Sequence, residues 1–412
     1  MSKTTRRGER AMFKTKESII FLIMTFVAGI CGSFFYPLSS LFVIEALGAS
    51  PTMLSVYMIA SFLSAVIVSQ YIAMKSDQGW DRKHILLIAL GCYLITVLGF
   101  SFTRNYYLAV GFAVVFGSVS GAIFGQLFAL GREYADEHIE DSASFLSIMR
   151  AGTAIAWVVG PPMAFTLKAH FGYSASFLIA AFATLVAMVL AALYLPNSIV
   201  KPQASELKPR EPIDRKVPLF CLALILMFCA NNLYIVSMPL YLSQELKVDA
   251  SWVGYMFGMA ALCELPIMIK AGRMAIKFGT MKLLLVSLVS GTAFYLVMLN
   301  VTHIWQLLTA QILNGIFIGI TATLGMVALQ DMMKDRLGTA STLFTSLLQI
   351  SMLLASLSVG VVGELYSYFD AFYVCLVCAI GSLLLLVFFA VEESLQMKPE
   401  TSKAIKSSGS TN

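Results

Sequence analysis

Apolar residues along this chain do not alternate with polar ones. They run in blocks of roughly twenty, separated by short stretches that hold most of the charge. The blocks lie near 18–45, 52–74, 85–102, 106–130, 144–167, 173–195, 218–243, 252–269, 283–301, 305–330, 340–366 and 371–391. Each is long enough to cross the ~30 Å hydrocarbon layer as a helix, and none has the ten-residue alternation of a barrel strand. Lipid offers no partner to a backbone N–H or C=O, so each block must satisfy its own, which predicts helix.

Composition agrees. At 412 residues, 58% hydrophobic and 12% charged, the chain carries more apolar surface than a water-soluble core would hide. The expected fold class is an all-α integral membrane protein with twelve transmembrane helices. Charge then sets orientation. With a cytoplasmic N-terminus, 24 of the 28 Lys and Arg fall in cytoplasmic segments, Arg104, Lys168 and Lys247 lie outside, and Arg150 lies within a block. This is a strong positive-inside bias. It predicts both termini in the cytoplasm, and the net charge of +5 calls for no nucleic-acid partner. The basic N-terminus is followed by an apolar run too long for a signal peptide and without a small-residue cleavage site, so it reads as the start of helix 1. All seven Cys sit in apolar blocks, and the pair Cys375 and Cys378 reads as two small hydrophobes one turn apart.

The chain divides at the Pro- and charge-rich stretch 196–217, a cytoplasmic linker. The expected organisation is a cytoplasmic N-terminal segment (1–17), a six-helix bundle (18–195), the linker, a second six-helix bundle (218–397) and a disordered cytoplasmic tail (398–412). The halves echo each other roughly 200 residues apart. PLSSLFVIEALGAS from Pro37 matches PLYLSQELKVDAS from Pro239, and ALGREYADEHIEDSASFLS from Ala129 matches ALQDMMKDRLGTASTLFTS from Ala328. Two parallel repeats imply a pseudo-two-fold axis along the membrane normal with a site between them, the layout of a rocker transporter.

The loop after helix 2, MKSDQGWDRKHILL, carries Asp77, Arg82 and Lys83; its counterpart after helix 8, KAGRMAIKFGTMKLL, carries Gly272, Lys277, Gly279 and Lys282. Together they resemble the signature loop of the major facilitator superfamily, although Ala73 replaces its first Gly and Ile276 its Asp. Longer strings narrow the resemblance: REYAD (132–136), SIMRA and AWVVGPPMAF (147–165), NNLYIVSMPL (231–240), CELP (263–266), and LQDMM with TASTLFTS (329–346). In order, they resemble the bacterial sugar efflux transporter family of that superfamily. The resemblance implies proton-driven export of sugars and sugar-like molecules across a bacterial inner membrane. The partners expected are a small sugar, protons and the bilayer, with a monomeric protein and no cofactor.

No P-loop, H-E-x-x-H or G-x-S-x-G motif is present, so energy for net transport is expected from an ion gradient. The chemistry centres on helix 5. Arg150 lies about 10 Å into the membrane at 1.5 Å per residue, too deep to snorkel out fully. Trp157 returns to within about 20° of it on the helix, while Gly152, Ala156 and Gly160 form a separate stripe for close packing ahead of Pro161. A guanidinium fork for hydroxyls beside a flat apolar ring suits a sugar. It is similar to the sugar site of lactose permease, where a helix 8 glutamate completes it. Here Glu264 is the acid well inside helix 8, at nearly the depth of Arg150, and is the expected proton carrier. Withdrawal of Arg150 would favour proton uptake, and approach would favour release. The alternative is a structural ion pair between the halves.

Gln126, Asn231 and Asn314 are further candidate sugar contacts, against interhelical packing contacts as the alternative. Asp77, Arg82, Arg132, Glu133, Asp136 and Asp331, at cytoplasmic helix ends, are candidate gating charges. A multidrug/proton antiporter of the same fold and a sugar/proton uptake symporter remain rival readings. The aromatic FFYPL at 34–38 and the many Met suit the first, and helix periodicity does not set the direction of transport.

Overall fold

The computed structural model describes residues 15–139, 142–197, 216–249, 251–301, 303–333 and 337–408. Among these residues all regular structure is helical. The helices are α1 (Lys16–Glu45), α2 (Pro51–Asp77), α3 (Arg82–Phe102), α4 (Tyr106–His138), α5 (142–171), α6 (173–194), α7 (Lys216–Leu240), α8 (Ser251–Phe278), α9 (Thr280–Met298), α10 (Ile304–Met332), α11 (Leu337–Leu365) and α12 (Ala371–Ser408). Eleven continuous helical runs are long and apolar enough to cross a membrane. One of them covers both α5 and α6, but Gly172 inside it has φ 80° and ψ 177°, backbone that only glycine adopts freely. The chain turns there, which gives twelve helices.

Short polar side chains start the early helices by covering N–H groups that have no helical partner. Ser50 accepts from Met53 N at 3.2 Å with Pro51 next in the chain, Asp81 accepts from Lys83 N at 2.9 Å, and Asn105 accepts from Tyr107 N at 2.9 Å. α9 starts after Gly279 at φ 90°.

Two elements depart from the sequence pattern. α4, expected as one plain helix, widens to a π-turn at Ala113–Gly117 and breaks at Gly121 and Ala122. Gly117 and Gly121 weaken the helix locally. The Phe112 ring lies so close to Gly99 that a Cβ there would come within 2.6 Å of it, and Thr96 Oγ1 reaches Phe112 O at 3.5 Å. π-turns of this kind often mark functional positions. The second departure is the tail. Residues 398–408, expected as a disordered tail, continue α12 although Pro399 lies among them; Lys, Glu and Ala around it favour helix. Residues 198–215, most of the linker, and 1–14 lie outside the described residues.

The chain forms two compact units. The first contains residues 1–207 with 235–261 and 356–368; the second contains 208–234, 262–355 and 369–412. In lipid, helices are held by packing and hydrogen bonds rather than by exclusion from water. The first unit is centred on the buried rings of Phe42, Phe100 and Phe177 with Phe35, centroids 4.9–6.0 Å apart. The second is centred on Tyr234, Phe294, Tyr295 and Phe317, with neighbouring centroids at 5.1–6.4 Å. Each such pair contributes about 0.5–1.5 kcal/mol beyond its area.

Candidate substrate and coupling sites

α5 is fixed by the small stripe against α1. A Cβ on Gly29 would stand 2.5 Å from Ala156 Cβ, one on Gly152 3.0 Å from Thr25 Oγ1, and one on Gly160 2.7 Å from Ser33 Cβ. Ser33 Oγ donates across the seam to Ala156 O at 3.1 Å, and Pro161 lies buried just beyond it. The backbones thus meet along one face, and the residues of the other face stand free of the seam. There Arg150 is exposed and Trp157 is 38% exposed. Trp157 leans on Tyr36 of α1, centroids 6.2 Å apart, and Tyr36 leans in turn on Phe62 of α2 at 5.6 Å.

Beside Tyr36, α1 to α4 line a half-open cavity of about 240 Å³. Its walls include the rings of Phe35, Tyr57, Phe62, Tyr93 and Phe124, and it abuts the π-turn and break of α4. Tyr36 and this cavity were not singled out by sequence reasoning; the visible signal was the aromatic run FFYPL.

The α2–α3 turn holds a polar network. Arg82 Nε donates to Glu133 Oε1 at 2.6 Å, Arg82 Nη1 donates to Ser76 Oγ at 2.7 Å, and Ser76 Oγ donates to Gln126 Oε1 at 2.8 Å. Arg82 is 13% exposed. Gln126, expected among the sugar contacts, is buried in this network and does not line the cavity. An i+4 partner on α4 accounts for Arg132 and Asp136, an exposed pair at 3.7 Å. Asp77 ends α2, and its side chain lies outside the described residues; Asp331 is exposed near the end of α10.

At the opposite end of α1, Glu45 collects four donors that the sequence did not reveal. Lys168 Nζ stands 2.9 Å away; Tyr173, Ser243 and Gln244 also donate to the carboxylate. Nearby, Glu364 accepts from Thr52 N at 3.2 Å, and a Cβ on Gly254 would come within 3.0 Å of Pro162 O. Ser243, Gln244, Gly254 and Glu364 are therefore tied to the helices α1, α2 and α5 at this end.

In the second unit Glu264 is half-buried on α8, with no hydrogen-bond or ion-pair partner among the described residues. Glycines on α10 bring the two backbones together at this point: a Cβ on Gly315 would lie 2.9 Å from Glu264 N, and one on Gly319 3.0 Å from Glu264 O. Pro266, two residues on, leaves the Leu262 carbonyl without its helical donor. Asn314 is buried and donates to Gln311 Oε1 at 3.1 Å, which also accepts from Tyr234 Oη at 3.2 Å, so it belongs to a core network. Asn231 is half-buried on α7, and its neighbour Asn232 reaches Ser351 Oγ at 3.5 Å.

Known proteins resemble this arrangement over most of its length. The Major Facilitator Superfamily model matches twice, at residues 21–219 and 220–410. Sugar efflux transporter A of Dickeya chrysanthemi is 34% identical over 368 residues, covering 89% of this chain and 93% of its own. Sugar efflux transporter C of Escherichia coli K12 is 34% identical over 383 residues, covering 91% and 96%. Among solved structures, the nucleoside transporter NupG shares the fold with a TM-score of 0.72 at 12% identity, covering 92% of this chain and 99% of its own. Twelve helices, a twice-matched six-helix pattern and these relatives together place the chain in the major facilitator superfamily, within the bacterial group whose members are named sugar efflux transporters.

Proposed function

We propose that this protein exports sugars or sugar-like molecules, such as glucosides, galactosides and lactose-like disaccharides, from the cytoplasm by proton-coupled alternating access. The observation that carries this reading is the one-third identity, over about nine-tenths of the chain, to relatives named sugar efflux transporters. The arrangement of Arg150 and Trp157 supports it. A planar donor fork and an apolar ring, both exposed on the face of α5 turned from its packing seam, suit the hydroxyls and the C–H surface of a pyranose. Glu264 is the proton carrier. A carboxylate with no hydrogen-bond or ion-pair partner among the described residues, held in an apolar helix, is free to bind and release a proton as its surroundings change.

The positive-inside bias supports cytoplasmic termini in a bacterial inner membrane. The Arg82–Glu133–Ser76–Gln126 network then stands at the cytoplasmic end and the Glu45 cluster at the outer end. Both serve as contacts that hold helix ends together in one state and part in the other, and the protein works as a monomer. The test is uptake of labelled lactose by inside-out vesicles. Accumulation driven by acid inside the vesicle is the expected result. Equilibration that ignores an imposed proton gradient would reduce the protein to facilitated diffusion, and accumulation only in right-side-out vesicles would make it an importer.

A further inference from the structure

The hydroxyls around the cavity of the first unit differ in one respect that bears on its ligand. Ser39 Oγ donates to Tyr36 O at 3.0 Å, Ser61 Oγ to Tyr57 O at 2.6 Å, Thr96 Oγ1 to Cys92 O at 2.9 Å and Ser120 Oγ to Gly117 O at 2.6 Å. Tyr93 Oη donates to Cys31 O. Each of these groups has committed its proton to the protein and keeps acceptor capacity. Tyr36 Oη is the exception. It is buried and has no hydrogen-bond partner among the described residues.

An unpaired buried hydroxyl costs free energy in every molecule that carries it. A wall that needed only an aromatic ring would be better served by Phe, which stands beside it at 34 and 35. We propose that Tyr36 is a specificity-determining residue whose hydroxyl donates a hydrogen bond to one oxygen of the transported sugar, with the cavity beside it receiving a single pyranose ring. This rests on the sugar reading above. The cavity offers acceptors on its walls, and Tyr36, one of its lining residues, holds a buried donor without a partner among the described residues, the complement of a polyol that both donates and accepts. At about 240 Å³ the cavity lies well above the room one water needs and just below the ~300 Å³ at which pockets for drug-sized ligands begin, the scale of one ring with its hydroxyls. Trp157 packs on the Tyr36 ring, so a sugar stacked on Trp157 lies next to this hydroxyl once the indole moves aside.

The assignment makes stability and affinity move in opposite directions. Tyr36→Phe removes an unsatisfied donor and keeps the ring, so without sugar its thermal midpoint in detergent stays level or rises. Its half-saturation for sugar counterflow in proteoliposomes worsens roughly three- to tenfold, the loss of one neutral hydrogen bond. A panel of monodeoxy sugars identifies the partner: wild type loses the same factor with one analogue, while Tyr36→Phe handles that analogue and the parent sugar alike. Unchanged half-saturation and an unchanged deoxy profile in Tyr36→Phe, with wild-type counterflow intact, would overturn the assignment, as would a lowered midpoint without sugar. Wild-type protein that exchanges no sugar at all would instead sink the sugar reading on which this one stands.

Discussion

The α1–α5 seam gives the sharpest prediction, because one methyl group is enough to probe it. In Gly160→Ala the new Cβ overlaps Ser33 Oγ and comes within 2.7 Å of Ser33 Cβ. The Ser33 hydroxyl must swing away and give up its bond to Ala156 O at 3.1 Å. Overpacking of this kind costs about 1–3 kcal/mol, and an interhelical hydrogen bond in lipid about 0.6 kcal/mol more. Replacing Gly by Ala in a helix returns about 1 kcal/mol, leaving a net loss of about 0.6–2.6 kcal/mol. Ser33→Gly removes both atoms in the way, and the next neighbour of the new methyl is then Ser33 C at 3.6 Å, an ordinary contact. The double variant should therefore be more stable than the sum of the two singles by at least ~1 kcal/mol. The assay is reversible unfolding in mixed micelles for wild type, both singles and the double. Since α5 also carries Arg150 and Trp157, counterflow should fall in Gly160→Ala and recover in the double. Strict additivity, or a Gly160→Ala protein as stable as wild type, would show that the seam does not hold α5 in the way described.

Two further outcomes follow from the charged helix ends. Arg82→Gln breaks a pair in which Arg82 is largely buried, and is expected to lower stability by about 1–3 kcal/mol once the partial exposure of Glu133 is allowed for. Arg132→Gln, at an exposed i,i+4 pair, should cost no more than ~0.5 kcal/mol. Equal shifts in thermal midpoint for the two would contradict the network. Asp249 accepts from Ser251 N at 2.8 Å and from the Ser251 hydroxyl, bonds that hold its carboxyl below the usual carboxylate range. A depressed acid stabilises the folded form above its unfolded value of ~3.9 and loses that contribution only as pH falls through the lower folded value. Protection factors at the start of α8, exchange divided into its intrinsic rate at each pH, should thus hold down to about pH 4 and fall below it. A fall well above pH 4, or identical profiles in Asp249→Asn, would refute the cap.

The helices were legible in the sequence because lipid leaves a long apolar block no other backbone solution, and the gap between the blocks 144–167 and 173–195 contains the turn at Gly172. The interruption of α4 was not legible. It depends on Phe112 meeting Gly99 and on Thr96 reaching a carbonyl sixteen residues away, contacts that no single window contains. The site was legible where one helix carried the pattern, as with the two faces of α5. It was not where partners lay far apart in the chain: Gln126 finds Ser76 fifty residues upstream, and Glu45 draws Lys168, Tyr173, Ser243 and Gln244 from three later segments. A polar residue in an apolar block announces that it needs a partner, and only the fold says whether that partner is a neighbouring helix or a ligand.

Proton-driven sugar export through Glu264 is tested most directly by measuring, in one batch of inside-out vesicles, acid-driven accumulation and gradient-free counterflow for wild type and Glu264→Gln. The expected result is accumulation in wild type, none in Glu264→Gln, and counterflow in both. A Glu264→Gln protein that still concentrates sugar in step with the pH gradient would contradict the account.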